Sequence, residues 1–269
     1  MYIDKDLSRT HLSVLLLLLP INIALAYPVA ASHDPIASLK TALQEGDEAY
    51  RRFDNVTALA AYERAVRLDS TNYQALWKAT RAHADVGFAG KGKEQEQNYR
   101  AAEILARRCV ALHPDSAESH FVLAMAVGRV ALRVGGKKKI ELSKEIKAEA
   151  ERTLALDPCH DGAMHVIARW HYELGNLSWV LKSFAKVLYG GVPPSGGNEE
   201  ARRWFEKAIA CDPRSPLHHL WLGKTLLELK ENDRARESLE ECLRLPPVYW
   251  DDEANKREAK KLLSEIKKN

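Results

Sequence analysis

The stretch Leu217 to Pro247, LHHLWLGKTLLELKENDRARESLEECLRLPP, has the form of a helical hairpin closed by proline, and it recurs. Thirty-four residues before Pro247 stands Pro213, after Cys211-Asp212, in the same helix-end setting. Earlier helix ends follow at Asp157-Pro158, His113-Pro114 and Asp69-Ser70, so the successive ends are 34, 55, 44 and 44 residues apart. Proline cannot continue a helical hydrogen-bond ladder, which makes it a natural marker of such ends. Counting from the ends brings other positions into columns. Five residues before them lie Ala65, Cys109, Thr153, Ala208 and Cys242, and ten residues after the first four lie Thr80, Ala124, Ala168 and Gly223. Every member of both columns is small, as close helix crossings require. A third column, Leu68, Leu112, Leu156, Cys211 and Leu245, sits two residues before each end.

These slots match the tetratricopeptide pattern, with His219, Leu222, Gly223 and Leu226 in the first helix and Ala235, Leu239 and Pro247 in the second. The expected fold is all-α: a tetratricopeptide-like α-solenoid of about five helical hairpins over 34–269, with an inserted helix and a C-terminal capping helix. The inserted helix is read from Leu177, Val180, Leu181, Phe184, Val187 and Leu188, which share one apolar face, and the loop 192–198 returns the chain to the repeat. The cap is read from the narrow stripe Leu262, Leu263 and Ile266 on a charged C-terminal helix.

Ahead of the repeats, Leu12 to Ala26 is an apolar run ending in Ala24-Leu25-Ala26, the small-x-small pattern of an export signal. Residues 1–26 are therefore expected to be a signal peptide and 27–33 a linker, which makes the protein exported, periplasmic or extracellular. The alternative is an N-terminal membrane anchor at 12–31, long enough to cross a bilayer. Of the four cysteines, Cys109, Cys211 and Cys242 occupy repeat slots and are expected to pack as small hydrophobes, while Cys159 falls in a turn between units. Lys137 to Lys139 follow Gly135-Gly136 and read as a solvated loop.

Several function classes are excluded. A net charge of +3 lacks the concentrated basic face of a nucleic-acid binder. No G-x-S-x-G and no phosphate-cradling glycine loop occurs, so no enzyme, catalytic residue or cofactor is expected. His160, His165 and His171 share a helix at spacings of 5, 6 and 11, which leaves out the i, i+4 pair of a helical metal site, and no metal is expected.

The segment HVIARWHYELGNLSWVLKSFAKVLYGGVPP from His165 to Pro194 resembles the regulator of microtubule dynamics family. So do NEEARRWFEKAI after it, the ending LEECLRLPPVYWDDEANKREAKKLL, Gly128-Arg129 and the basic KKKIELSKEIKAEAERTLALDP. The resemblance covers roughly Asn72 to Leu263 and implies a tetratricopeptide-like solenoid without catalytic residues, whose animal members associate with microtubules. With an export signal in front, this chain would be a bacterial-type member working where microtubules are absent.

In stacked hairpins the first helix of each pair lines the concave surface, where repeat proteins bind. Positions one and two turns apart on those helices are Trp77, Arg81 and Ala84, then Phe121, Met125 and Arg129, then His165, Arg169 and Tyr172, then Leu220, Lys224 and Leu227. The result is a candidate groove of aromatic and apolar residues with a row of cations, suited to a protein or peptide with acidic groups. The same arginines are equally placed to pair internally with Glu118 and Glu173. Two other readings stand beside the scaffold: a lipid or apolar ligand in a pocket closed by 177–189, and a microtubule-associated regulator in a eukaryotic cytosol.

Overall fold

A computed structural model describes residues 35–176 and 197–266. Among the described residues there are eleven helices and no strands. They pair as α1 (Pro35–Arg51) with α2 (Asn55–Leu68), α3 (Tyr73–Ala89) with α4 (Gly92–Leu112), α5 (Ala117–Ala131) with α6 (Gly136–Leu156), α7 (Asp161–Gly175) with α8 (Asn198–Cys211), and α9 (Pro216–Glu228) with α10 (Asn232–Arg244). Helix α11 (Asp252–Ile266) follows as a single element. Each second helix also packs on the first helix of the next pair, and α3, α5, α7 and α9 touch in succession along one side. This is the tetratricopeptide-like solenoid read from the sequence.

The two small-residue columns lie where the helices cross. Ala65, Cys109, Thr153, Ala208 and Cys242 are fully buried, as are Thr80, Ala168 and, within 1%, Ala124. At Gly223 an added Cβ would stand 2.7 Å from the Leu239 side chain, and at Gly46 it would stand 2.3 Å from the Tyr62 ring. Both glycines therefore hold their own hairpin together by the close approach they permit. The third column is mixed: Leu68 and Leu112 are 40% and 44% exposed, whereas Leu245 is buried, so a slot two residues from a helix end packs only where the next element covers it.

Side chains start several helices. Asp54 accepts from the Thr57 N–H at 3.1 Å, Asn72 from Ala75 at 3.1 Å, and the His160 ring from Ala163 at 3.2 Å. Helices α1 and α9 end alike, with a left-handed residue (Phe53, φ 62°; Lys230, φ 63°) followed by an N–H that reaches back five residues. Asp54 bonds the Ala49 carbonyl and Glu231 the Leu226 carbonyl, the six-to-one closure of a Schellman end. Lys138 and Lys139 lie in the first turn of α6, and Lys138 faces Glu141 at 3.7 Å, so the lysine run is helical where a loop was expected. At the far end Leu262, Leu263, Ile266 and the buried Ala259 of α11 cover Leu220, Leu239 and Cys242, which makes α11 the expected cap. The inserted helix expected at 177–189 lies outside the described residues.

One cysteine assignment is corrected. Cys211 is bonded to Cys159, with Cα atoms 5.6 Å apart, whereas Cys109 and Cys242 are free and buried. Cys159 stands just after one repeat end and Cys211 just before the next, and consecutive ends stack along the same edge. Counting register within units places Cys211 in a packing column but does not show that the neighbouring turn faces it. Burial raises both free thiols, that of Cys242 to about 12, so they are inert packing groups as expected. The disulfide closes 52 residues of chain, for which chain entropy gives a stabilisation of up to about 4 kcal/mol. Urea unfolding should show Cys211→Ser less stable by up to about that amount, with most of the difference vanishing when both proteins are fully reduced.

Candidate functional site

The predicted site residues fall on the first helices and gather into two clusters of cations stacked on aromatic rings. In the first, the Arg81 guanidinium lies 4.3 Å from the Tyr50 ring centroid and 4.9 Å from that of Trp77, and Arg129 lies 4.5 Å from that of Phe88. In the second, Trp221 carries Arg169 at 3.5 Å and Lys224 at 4.0 Å, while Tyr172 meets its edge at 5.4 Å. Flat guanidinium groups suit such stacking because they keep in-plane N–H donors free while one face rests on the ring.

The cations differ in their partners. Arg169 is paired with Glu173 at 3.2 Å, as the internal-pairing reading anticipated, and Lys224 with Glu258 of the cap at 2.6 Å. Arg81 and Arg129 form no ion pair and no side-chain hydrogen bond among the described residues, and the buried Nε of each lacks an acceptor. Glu118, the other expected partner, binds His160 at 3.3 Å. Asp85, buried and within electrostatic range of both arginines, accepts from the Tyr50 hydroxyl at 2.9 Å. Burial raises its carboxyl, against the hydrogen bonding of Tyr50 and Trp250 and the charges of Arg129 and Arg81. Burial and then the Asp85 charge push the Tyr50 phenol well up.

Other predicted residues serve packing. Phe121 rests on the His160 ring at 4.5 Å and joins Met125 and Trp77 around the core of α3 to α6. His165 is buried, its Nδ1 3.0 Å from Nδ1 of His218, whose Nε2 in turn stands 2.9 Å from the Asp161 carboxylate. This chain of polar contacts ties α7 to α9. Among the described residues no cluster of three His, Cys, Asp or Glu is arranged to hold a metal ion. The lipid pocket imagined under 177–189 draws on residues outside those described.

Sequence reasoning missed a contribution from the far end of the chain. The Trp250 ring meets Phe88 edge-on at 5.8 Å, across 162 residues of sequence. Tyr249, half-buried, is within electrostatic range of Arg81, Asp161 and Asp212, and burial raises its phenol to about 12. Asp251 lies near Asp85 and Arg129, and burial raises its carboxyl too. The available signal was the run PPVYWDD, where proline forbids helix and adjacent aromatics precede acids.

The family model for regulator of microtubule dynamics proteins 1–3 matches residues 42–267. The chain belongs to the regulator of microtubule dynamics family. Regulator of microtubule dynamics protein 1 of mouse is 31% identical over 199 residues, covering 73% of this chain and 65% of the mouse protein, and that of cattle is 30% identical, covering 72% and 62%. Human regulator of microtubule dynamics protein 2 is 24% identical, covering 72% of this chain and 47% of its own length. The chain thus spans less than two thirds of these family relatives. A thermophilic tetratricopeptide protein of Thermus thermophilus shares the fold, with a TM-score of 0.62 at 16% identity over 84% of this chain and 99% of its own. These mammalian family members overturn the expectation of an exported, periplasmic or extracellular protein. An apolar run ending in small residues is a compositional pattern that carries no compartment by itself. The leader and the alternative anchor at 12–31 lie outside the described residues, and no helix among those described is long and apolar enough to cross a membrane.

The buried histidines give the family member a signed pH response. His165 is held well below its ordinary value by burial and by the charges of His218, Arg169 and Arg129, and burial also lowers His171 and His219. Such groups bind fewer protons folded than unfolded, so their contribution is lost as pH falls through about 6.5. His160 has the opposite sign: Glu118 raises it against burial, and its contribution is full below about 6.5 and lost as pH rises through its folded value. Three depressed histidines against one raised predict a lower Tm at pH 5.5 than at pH 7.5. Differential scanning fluorimetry should show a smaller drop in His165→Gln, which cannot charge.

Proposed function

We propose that the protein is a non-enzymatic scaffold that holds a partner protein by an acidic peptide segment in the groove along its first helices. The observation that carries this reading is the state of Arg81 and Arg129. Both are half-buried and stacked on aromatic rings, and neither has an ion-pair partner among the described residues. A half-buried guanidinium with idle donors is costly unless a ligand supplies acceptors, and a carboxylate supplies two in matching geometry. The half-exposed Phe88 beside Arg129, and farther along the first helices Tyr172, add apolar surface against which a peptide's own side chains can rest. The family and the fold add support, because tetratricopeptide-like solenoids present such faces to other proteins.

Affinity capture on the full-length chain, with captured proteins identified by mass spectrometry and their binding then titrated, tests the groove. Replacing Arg129 and Arg169 together with alanine should weaken a genuine groove partner by at least about 2 kcal/mol, the scale of an interfacial hot spot. Undiminished binding by the folded double variant would rule the groove out.

The relatives' names favour a narrower second reading, in which the partner is the microtubule. Co-sedimentation with stabilised microtubules should then bring the wild-type chain into the pellet and leave much of the Arg129→Ala/Arg169→Ala variant in the supernatant. A wild-type chain that stays entirely in the supernatant would reject the microtubule as partner.

A further inference from the structure

We propose that residues 246–251 are a built-in occupant of this groove, and that its partner is a short peptide of the same chemistry, an aromatic pair followed by a carboxylate, which binds by displacing them. The inference rests on the groove reading above and adds to it both a ligand class and a competitor within the chain.

The segment joins α10 to α11 and crosses to the opposite end of the row of first helices. Trp250 sits edge-on against Phe88 at 5.8 Å, and the same Phe88 ring carries the Arg129 guanidinium at 4.5 Å. Asp251 is within the field of Arg129, and Tyr249 within that of Arg81. The two cations that lack ion pairs are thus the two approached by the segment's acid and phenol. Its aromatic and acidic groups use the site in the manner proposed for a partner peptide.

The hold is partial. Backbone hydrogen bonds shown for 246–251 stay local: Val248 and Tyr249 donate to the Asp252 carboxylate at 2.8 and 2.7 Å, and the Tyr249 carbonyl accepts from Asp252 at 3.1 Å. Lys256 donates to the Leu245 carbonyl, which steadies the other side of the turn. Contact with α3 and α5 is therefore made by rings, charges and the Trp250 side chain's hydrogen bond to Asp85, without main-chain pairing. Pro246, Pro247 and Val248 are exposed, and Phe88 keeps 44% of its surface open. The buried Asp252 fixes the shape of the turn independently of the groove. Releasing Tyr249 and Trp250 leaves that anchor intact, and a peptide with free ends can add main-chain contacts that the tethered segment does not make.

The test is fluorescence anisotropy with a labelled peptide, PPVYWDD, titrated with full-length protein. A Tyr249→Ala/Trp250→Ala variant should bind it at least tenfold more tightly than wild type, and adding Arg129→Ala should remove the gain. A control peptide with alanine in place of both aromatics should not bind. Circular dichroism checks the fold; should the double variant prove misfolded, Trp250→Leu, which keeps apolar bulk, and Asp251→Asn are each expected to raise affinity above wild type. The proposal is overturned if folded, opened variants bind no better than wild type, or if the control peptide binds as well. In that event captured partners that still depend on Arg129 and Arg169 would leave the scaffold reading standing.

Discussion

Close approach of helix backbones underlies the whole architecture. Gly46 against Tyr62 and Gly223 against Leu239 leave no room for a Cβ, and the small Ala65, Cys109, Thr153, Ala208 and Cys242 are fully buried. Tight crossings let each hairpin bury a second face against the next, so a stack forms from units that could not be stable alone. They also fix the direction of the remaining surface. With the small residues turned toward the partner helix, the positions a turn away on α3, α5, α7 and α9 are left to face along the common side. The arginines and tryptophans occupy those positions.

That common side is polar in an economical way. Arg81, Arg129 and Arg169 lay their flat faces on Tyr50, Phe88 and Trp221, so each cation shelters apolar ring surface while holding its charge at the face. Asp85 supplies a single buried counter-charge among them, and the Tyr249-Trp250-Asp251 segment brings more aromatic and acidic character from the far end. The two clusters differ in what they leave unsatisfied. The cations at Trp221 are ion-paired with Glu173 and Glu258, although the Arg169 Nε still lacks an acceptor, whereas Arg81 and Arg129 in the cluster at Tyr50, Trp77 and Phe88 have no ion pair among the described residues.

Local features were legible in the sequence and long-range ones were not. Helix ends, small-residue columns and the cap follow from spacing, because each depends on residues within one hairpin or its neighbour. Placing Arg81, Arg129, Arg169 and Lys224 on one line of helices also needs only a 3.6-residue period. Which of them is free depends on partners such as Glu258, which belongs to another helix. The Cys159–Cys211 bond and the Phe88–Trp250 contact join positions 52 and 162 residues apart, and no periodicity announces them. His165 looked like a surface position by period, yet it is buried by Phe205 and His218, whose approach is set by the stacking of α8 and α9 on α7.

The closure of the fourth hairpin has a further consequence. Asn176 donates to the Asn198 side chain at 3.1 Å, and Gly175 lies so near Gly197 and Asn198 that an added Cβ would stand about 3 Å from them. Helices α7 and α8 therefore meet at their tips as a short-looped pair would, although the chain between those tips is many residues long. The closure entropy of an excursion between two such adjacent tips grows only logarithmically with its length. The register of α7 on α8 is thus set where Gly175 and Asn176 meet Gly197 and Asn198, and not by the number of residues that join them.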